Sequence, residues 1–288
     1  MNNELGAFIS FKDGENLAER FRQAKDMGFD SCQLSIWKEK YYCEENALKV
    51  KAALEETGFK ISTLWAGWDG PREWNYVYGP TTIGLVPPAY RDARANALIK
   101  ASDFAEIVGI KNIATHVGFI PIDMKHPDFV GTAAALRHVV RYMATKGQVF
   151  LFETGQETPN TIVNMIDTIG LANLGINFDT ANLILYGTGN SVDAVDIFGK
   201  YIRDTHIKDG FYPTEVGKCG EQVRVGEGRA NVPLIIKKLR AIGYTGPFTI
   251  EREHVGEGEQ QKDIALTREL LIKWMAEADA EAEAEAKA

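Results

Sequence analysis

The sequence predicts an α/β fold, a single-domain (β/α)8 TIM barrel, and three observations support this prediction. Short apolar runs alternate along the chain with amphipathic stretches of helical period, which is typical of βα units in a parallel sheet. Eight such units can be distinguished. The 288 residues, 45% of them hydrophobic, match the usual size of one α/β barrel with one large core. A doubly wound open sheet is the alternative arrangement of the same units.

The elements follow one another in a regular order. The apolar runs lie near residues 5–10, 32–36, 60–66, 112–116, 149–153, 174–178, 202–207 and 247–251. Helical patterns fill the intervals, and six of them end at a glycine shortly before the next strand: Gly28, Gly58, Gly109, Gly147, Gly170 and Gly243. Helix C-caps with left-handed backbone favour glycine, so the helix-to-strand turns are predicted to be short.

The strand-to-helix connections are longer in two places, at residues 67–90 and 208–230. Long loops on one face of a barrel usually carry its function, so the carboxyl ends of the strands are the predicted functional face. Residues 1–276 are assigned to the barrel. Residues 277–288, EADAEAEAEAKA, form an Ala/Glu-rich tail that we expect to be a helical extension or disordered, because it has almost nothing to bury.

Composition limits the classes of partner. The formal net charge of -8 disfavours a nucleic-acid substrate. No apolar run approaches the roughly 18 residues of a membrane span, and the N-terminus lacks a basic region followed by a long apolar stretch. Cys32, Cys43 and Cys219 have no CxxC spacing, which disfavours disulfides and zinc knuckles. We therefore expect a cytoplasmic protein that acts on a small molecule, and a homo-oligomer stays open.

Four residues with oxygen or nitrogen ligands terminate four consecutive predicted strands: Glu153, Asp179, His206 and Glu251. Neighbouring parallel strands lie about 4.8 Å apart, so their ends can converge inside the mouth of the barrel. Three carboxylates and one imidazole suit one divalent ion, with Mn²⁺ preferred and Mg²⁺, Co²⁺ or Zn²⁺ as alternatives. The competing explanation, an acid that caps a helix or pairs with a lysine, has to apply at four equivalent positions.

The motifs FET, FDT, HIKD, VGEG and GYTGPFTIERE, between residues 152 and 253, resemble the sugar phosphate isomerase/epimerase branch of the xylose-isomerase-like barrels. That branch includes ketose 3-epimerases and inosose dehydratase. The resemblance implies that the same four residues bind one metal ion, often Mn²⁺. One position departs from the ketose 3-epimerases, which usually have a histidine where this chain has Asn182. Asparagine does not titrate near neutrality, so the substrate stays open.

Other candidate residues lie near the same strand ends. His116 ends strand 4 and can shuttle a proton or orient a neighbouring group. Lys208 and Asp209 follow His206, so one of them points into the mouth while the other faces a helix. Lys208 in the mouth can polarise a carbonyl oxygen or an enediolate, whereas on the rim it only forms a salt bridge. Arg224 can bind a phosphate or sugar hydroxyls, or can hold its own loop.

The segment 65–78 is rich in aromatic residues, with Trp65, Trp68, Trp74, Tyr76 and Tyr78. Aromatic rings can cover a sugar face and exclude water as a lid, or can form an oligomer contact. The predicted substrate-binding residues are Trp68, Asn182, Asp209 and Arg224.

These observations predict a divalent-metal-dependent isomerase or epimerase that acts on a ketose, sugar phosphate or related keto-sugar through an enediolate. Its predicted catalytic residues are Glu153, Glu251, His116 and Lys208. The alternative is a metal-dependent lyase or dehydratase of a keto-inositol or keto-sugar, which expels a β-substituent from the same intermediate. An abasic-site endonuclease is disfavoured by the five histidines and the acidic chain. A non-catalytic sugar-binding barrel is disfavoured because all four ligands are present.

Overall fold

The computed structural model describes residues 3–253 and 255–285. The strands are β1 (Leu5–Ser10), β2 (Ser31–Ile36), β3 (Ile61–Ala66), β4 (Asn112–Thr115), β5 (Val149–Glu153), β6 (Leu174–Asp179), β7 (Ile202–Ile207), β8 (Asp209–Gly210), β9 (Gln222–Val223) and β10 (Phe248–Ile250). The α-helices are α1 (Leu17–Asp26), α2 (Glu44–Thr57), α3 (Gly79–Thr82), α4 (Pro88–Val108), α5 (Pro127–Ala144), α6 (Pro159–Ile169), α7 (Asn182–Leu185), α8 (Ser191–Phe198), α9 (Val232–Ala241) and α10 (Glu257–Glu285). Short 3₁₀ helices span Glu39–Tyr41 and Gly199–Tyr201.

Eight strands form a closed barrel in the order β1-β10-β7-β6-β5-β4-β3-β2. All neighbouring pairs are parallel, and the barrel closes where β1 pairs with β10, with Leu5 opposite Phe248. The predicted TIM barrel is confirmed, and an open sheet is excluded by this closure. The remaining strands, β8 and β9, pair antiparallel within the long connection after β7.

The predicted strand bounds differ from the observed ones by one residue at most. Three of these differences concern the mouth, and one of them is that β6 includes Asp179. Strand β4 ends at Thr115 and β10 ends at Ile250, so His116 and Glu251 directly follow their strands. Both side chains therefore lie where the chain leaves the barrel wall for a loop.

The barrel wall separates two kinds of core. Its outer face packs against the helices through fully buried residues such as Leu34, Phe150 and Phe152. Burial of each such side chain stabilises the fold by roughly 1.5–3 kcal/mol. The inner face holds a much smaller apolar cluster of Trp65, Ala114 and Leu151. Because strands covered on both faces read as continuous apolar runs, polar residues within those runs indicate the barrel interior.

The turns that enter the strands are built as predicted. The six glycines at the ends of helices all have left-handed backbone, with φ between 62° and 93°. A residue with a Cβ in this conformation costs roughly 1–2 kcal/mol, which explains the choice of glycine. The helix-to-strand turns are consequently short, and the longer connections lie at the opposite face.

The C-terminal helix α10 continues past residue 276, the boundary proposed from composition. It packs against α9, and Leu271 and Ala278 are buried in that contact layer. Arg240 of α9 pairs with Asp279, and Lys237 Nζ lies 2.8 Å from Glu281 Oε2. Residues 277–285 are therefore helical, while residues 286–288 lie outside the described chain. In the described part, no helix is both long enough and apolar enough to cross a membrane.

Candidate metal centre and active site

The four predicted ligands converge at one point of the barrel mouth. Glu153 and Asp179 are the last residues of β5 and β6, His206 lies near the end of β7, and Glu251 follows β10. These strands are consecutive neighbours in the barrel. One ligand atom from each residue lies within 4.8 Å of the others, and all four residues are buried. Such a cluster of three carboxylates repels itself unless a cation compensates its charge.

The imidazole of His206 is held by a network inside the barrel. Its Nε2 lies 2.8 Å from Gln33 Oε1, while Gln33 Nε2 donates to Asn177 Oδ1 at 2.9 Å. Because Gln33 presents its oxygen to the ring, Nε2 carries a proton, and Nδ1 faces the carboxylates, to which it donates when it is protonated and beside which its lone pair could bind a metal ion when it is not. Nδ1 lies 2.8 Å from Glu153 Oε1 and 3.0 Å from Glu251 Oε2. A hydrogen bond that fixes the tautomer in this way is typical of metal-bound histidines.

The carboxylates are also oriented by neighbouring donors. Asp179 Oδ1 accepts from the backbone N–H groups of Ala181 and Asn182, both at 2.8 Å. Its other oxygen, Oδ2, is buried and faces the cluster, where its contact with a described residue is an ion pair with Lys208 rather than a well-aligned hydrogen bond. The second oxygen of Glu153 accepts from Asn177 Nδ2 and from Trp65 Nε1, the latter at 3.2 Å. Asp179 and Glu153 thus each turn one oxygen to the protein and one to the cluster, which suits ligands of a divalent ion.

Lys208 completes the charge distribution of the cluster. Its side chain is 5% exposed, and its Nζ lies 2.6 Å from Glu251 Oε2, 2.8 Å from Glu253 Oε2 and 3.3 Å from Asp179 Oδ2. Burial lowers the pKa of Lys208, but the surrounding carboxylates outweigh this and hold that pKa well above its ordinary value. Lys208 is therefore a fixed positive charge at the mouth. Alternation along the chain turns it inward with His206 and turns Asp209 outward.

The same charges shift the titration of the candidate ligands. Burial raises the pKa of Asp179 to about 6, and the negative charges of Glu153 and Glu251 act in the same direction. Burial lowers the pKa of His206, but Glu153 and Glu251 outweigh it and raise that pKa well above its ordinary value. A proton on His206 therefore compensates the acids when no cation does. A metal ion and this proton compete for the same lone pair.

A cavity of about 210 Å³ opens above the cluster; we call it the inner cavity. Glu153, Glu251 and Lys208 line one side of it, and Trp37, Trp65 and Trp74 line the other. The ring centroids of Trp37 lie 4.6 Å from Trp65 and 6.2 Å from Trp74. Trp37 and the network residues Gln33 and Asn177 were not predicted. Gln33 and Asn177 could have been found from the sequence, because each is a polar residue within a predicted buried strand.

His116 and Asn182 also line the inner cavity. The His116 ring lies 5.1 Å from that of Trp74, and its buried Nδ1 has no hydrogen-bond partner among the described residues. Burial lowers the pKa of His116, so this imidazole is neutral near pH 7. Asn182 Nδ2 donates to Thr154 O at 3.1 Å, which leaves its side-chain oxygen for the cavity.

Three predicted substrate-binding residues lie outside the inner cavity. Trp68 is 2% exposed and packs below the Arg94 guanidinium, 5.0 Å from the ring centroid, because the loop turns it into the protein. Asp209 accepts from the backbone N–H groups of Gly226 and Gly228, both at 3.0 Å, and so shapes the VGEGR loop. A Cβ at Gly228 would lie only 2.2 Å from Asp209 Oδ1, which requires glycine there. Arg224 Nε donates to Asp263 Oδ1 at 2.6 Å, away from the cluster.

Known proteins share this fold and part of this sequence. The solved structure of a xylose isomerase domain protein from Planctomyces limnophilus is 31% identical, with a TM-score of 0.89 over 97% of this chain and 100% of that one. An uncharacterized protein of Methanocaldococcus jannaschii is 29% identical over 108 residues, 37% of this chain and 35% of the relative. The 3-dehydro-D-guloside 4-epimerase of Escherichia coli is 39% identical over 56 residues, 19% of this chain and 20% of the relative. The chain thus matches about a third or less of these two relatives' length.

More distant solved structures support the fold alone. The 3-keto-D-glucoside 4-epimerase of Escherichia coli is 21% identical, with a TM-score of 0.67 over 92% of this chain and 98% of that one. A xylose isomerase-like TIM barrel protein from Mycobacterium smegmatis, solved in complex with magnesium, is 16% identical, with a TM-score of 0.69 over 96% and 99% of the two chains. The sequence model of one family matches residues 21–275, nearly the whole described barrel. The chain therefore belongs to the xylose isomerase-like TIM barrel family.

Proposed function

We propose that this protein is a divalent-metal-dependent isomerase or epimerase of a keto-sugar, with Glu153, Asp179, His206 and Glu251 as metal ligands. The observation that carries the proposal is the position of Glu153 and Glu251, which belong to the ligand cluster and also line the inner cavity. A sugar that enters the cavity meets both carboxylates. Partial identity to a sugar 4-epimerase agrees with this reaction class.

The proposed reaction is a proton transfer in which the residues at the cluster have different roles. A divalent ion bound there supplies positive charge, which stabilises the enediolate formed when a C–H next to a carbonyl loses its proton. Glu153 and Glu251 remove and return that proton, since both carboxylates line the inner cavity that receives the sugar. Trp65 and Asn177 hold the other oxygen of Glu153 and so fix its direction. The metal is Mn²⁺ or Mg²⁺ in this proposal, because oxygen ligands dominate the set.

Other cavity residues bind and orient the substrate. Lys208 places a positive charge beside Glu251 and can donate to a developing oxyanion. His116, neutral and with Nδ1 free, can exchange a hydrogen bond with a sugar hydroxyl, and Asn182 presents an amide oxygen. Trp37, Trp65 and Trp74 offer apolar faces to the C–H side of a sugar ring and exclude water.

Solvent deuterium uptake tests the proposal. The Mn²⁺-loaded protein is incubated in D₂O with a panel of ketoses, ketose phosphates, keto-glycosides and keto-inositols, and the products are read by NMR and mass spectrometry. We expect deuterium at the carbon next to the carbonyl and a product of otherwise unchanged mass. Loss of water would instead identify the lyase that uses the same intermediate. Turnover of a panel member without any deuterium uptake would contradict a solvent-exchanging glutamate.

A further inference from the structure

The inner cavity borders a second space, which we call the outer groove. The outer groove has a volume of about 670 Å³ and is lined by the segment 219–224 together with Glu227, Arg252, Val255 and Glu259. Cys219, Gly220 and Gln222 line both spaces, so the two adjoin along this segment. The inner cavity alone is smaller than the roughly 300–1,000 Å³ of typical ligand sites, whereas the two spaces together fall within this range.

The outer groove is attached directly to the candidate metal centre. Gln222 Nε2 donates to the backbone oxygen of Glu251 at 3.4 Å, and Gln222 Oε1 accepts from the backbone N–H of Glu253 at 3.1 Å. Both partners belong to the segment that carries the metal ligand Glu251. A ligand that reaches the cluster with one ring can therefore place a second unit beside Gln222.

The charges of the outer groove disfavour an anionic group. Its two arginines are already paired with one buried acid: Arg224 Nε lies 2.6 Å from Asp263 Oδ1, and Arg252 Nε lies 2.9 Å from Asp263 Oδ2. Asp263 is 3% exposed, so its buried carboxylate depends on these two arginines for charge compensation. Three glutamates line the same groove: Glu221, Glu227 and Glu259. A phosphate dianion would meet this negative charge, and the positive charges of the two arginines that line the groove are already directed to Asp263.

The same groups suit hydroxyls. A guanidinium has five N–H donors, and the contacts to Asp263 and Glu259 occupy only some of those on Arg224. The glutamates are acceptors, and the Gln222 amide borders the passage. A sugar hydroxyl can donate to one of these groups and accept from another at the same time. The groove therefore offers what a neutral polyhydroxylated unit needs.

We propose that the outer groove is a second sugar subsite, so that the substrate is a keto-sugar joined to a neutral glycosyl unit rather than a free ketose or a sugar phosphate. This inference rests on the proposed function, since it assumes that the keto ring lies in the inner cavity. The second unit is held by Gln222, Arg224 and the groove glutamates.

The test compares three probes with the Mn²⁺-loaded protein: 3-keto-glucose, its 6-phosphate and the disaccharide 3-keto-trehalose. For each probe, the rate of deuterium uptake is measured as a function of concentration, which gives kcat/KM. We expect the disaccharide to exceed the monosaccharide by about tenfold or more, and the phosphate to be the poorest of the three. The variant Glu227→Trp fills the groove from an exposed position and should lower the ratio of disaccharide to monosaccharide about tenfold. The variant Glu45→Trp, on the outer helix α2, should leave this ratio as it is.

Preference for the phosphate, or a ratio that Glu227→Trp does not change, would overturn the second subsite. Failure of the proposed function has a different signature, because then none of the three probes exchanges deuterium. In that case binding of trehalose, which has no ketone, is measured by calorimetry. Binding that Glu227→Trp weakens and Glu45→Trp does not would uphold the subsite without the epimerase, and absence of binding would refute it.

Discussion

The two sides of the inner cavity differ in how their residues reach it. On the side of β5, β6, β7 and β10, the polar residues lie at strand ends, and hydrogen bonds to barrel residues or to the backbone just after the strand fix their direction. On the side of β2 and β3, Trp37 and Trp74 come from loops that follow the strands, and only Trp65 lies within a strand. The carboxylate side is thus set by the barrel itself, whereas the aromatic side depends on loop conformation. If the carboxylate side carries the chemistry and the aromatic side binds the substrate, mutations on the two sides should have different effects.

The largest effect is expected on the carboxylate side. Changing Glu153 or Glu251 to glutamine removes a base and a metal charge at nearly constant size, so kcat for deuterium uptake should fall by about 10²–10⁴-fold. Metal content has to be measured for each variant, because loss of the ion would mimic loss of the base. Glu253→Gln is the matched control: Glu253 contacts Lys208 but is 46% exposed at the rim. An equal loss in Glu253→Gln would show that charge near Lys208 matters rather than a base at the cluster.

Trp68 lies outside the inner cavity but packs against Trp37 and Trp65 of the aromatic side, and it should give the largest effect on stability. Replacing it with alanine should destabilise the fold by about 3–5 kcal/mol, since a fully buried ring and the packing surface of Arg94 are lost. Urea unfolding measures this change. Trp68→Phe retains an aromatic ring below Arg94 and should recover part of the stability. If Trp68→Ala were stable but raised KM, Trp68 would bind substrate as the sequence suggested, and the two sides would be less distinct than described.

This contrast also explains what the sequence could predict. Strand ends follow from periodicity, and the alternation of His206, Ile207 and Lys208 determines which side chains point into the barrel. The same reasoning extends to Gln33 and Asn177, which are polar residues within apolar runs. Their amide side chains do not titrate, so they do not stand out as catalytic candidates. The difference between Trp68 and Trp74 does not follow from sequence, because a loop has no period that assigns a residue to one face.

Ion pairs between residues far apart in the sequence were equally hard to predict. Arg224 is close in sequence to the VGEG motif, yet its partner Asp263 lies on α10, 39 residues away. Only the closure of the barrel brings that helix beside the loop. Local sequence therefore predicts which charged residues lie near the mouth. Tertiary packing decides which of them are available to a ligand.

Metal binding should link the carboxylate side to stability in a pH-dependent way. Because the folded protein raises the pKa of Asp179 from 3.8 to about 6, this group favours folding fully below about pH 3.8 and loses that contribution as the pH rises through 6. A divalent ion binds the ionised form and reverses the loss. Saturating Mn²⁺, a hundredfold above Kd, should stabilise the fold by about 2.7 kcal/mol near pH 7.5, and by less near pH 5, where protons compete.

Thermal unfolding with and without Mn²⁺ at both pH values measures this difference. Asp179→Asn removes the titrating group and should lose most of the Mn²⁺-induced rise in Tm at the higher pH. The matched control Asp193→Asn changes an exposed acid in the first turn of α8, which is not part of the ligand cluster. A rise in Tm that is the same at both pH values, or the same in Asp179→Asn, would contradict binding through the ionised cluster.

The smallest effect is expected from Trp74, the most exposed ring of the aromatic side. Trp74 is 37% exposed, lines the inner cavity and lies 5.1 Å from the His116 ring, so it covers the cavity without belonging to the core. Trp74→Ala should raise KM about tenfold, with little change in Tm, because a substrate loses one apolar face while the barrel loses little packing. Tyr78→Ala, at a residue 61% exposed in the same loop, should change neither quantity. If Trp74→Ala instead lowered Tm as far as Trp68→Ala while the KM of the folded protein stayed normal, both rings would serve packing. The aromatic side would then be a wall of the fold rather than a lid over the metal centre.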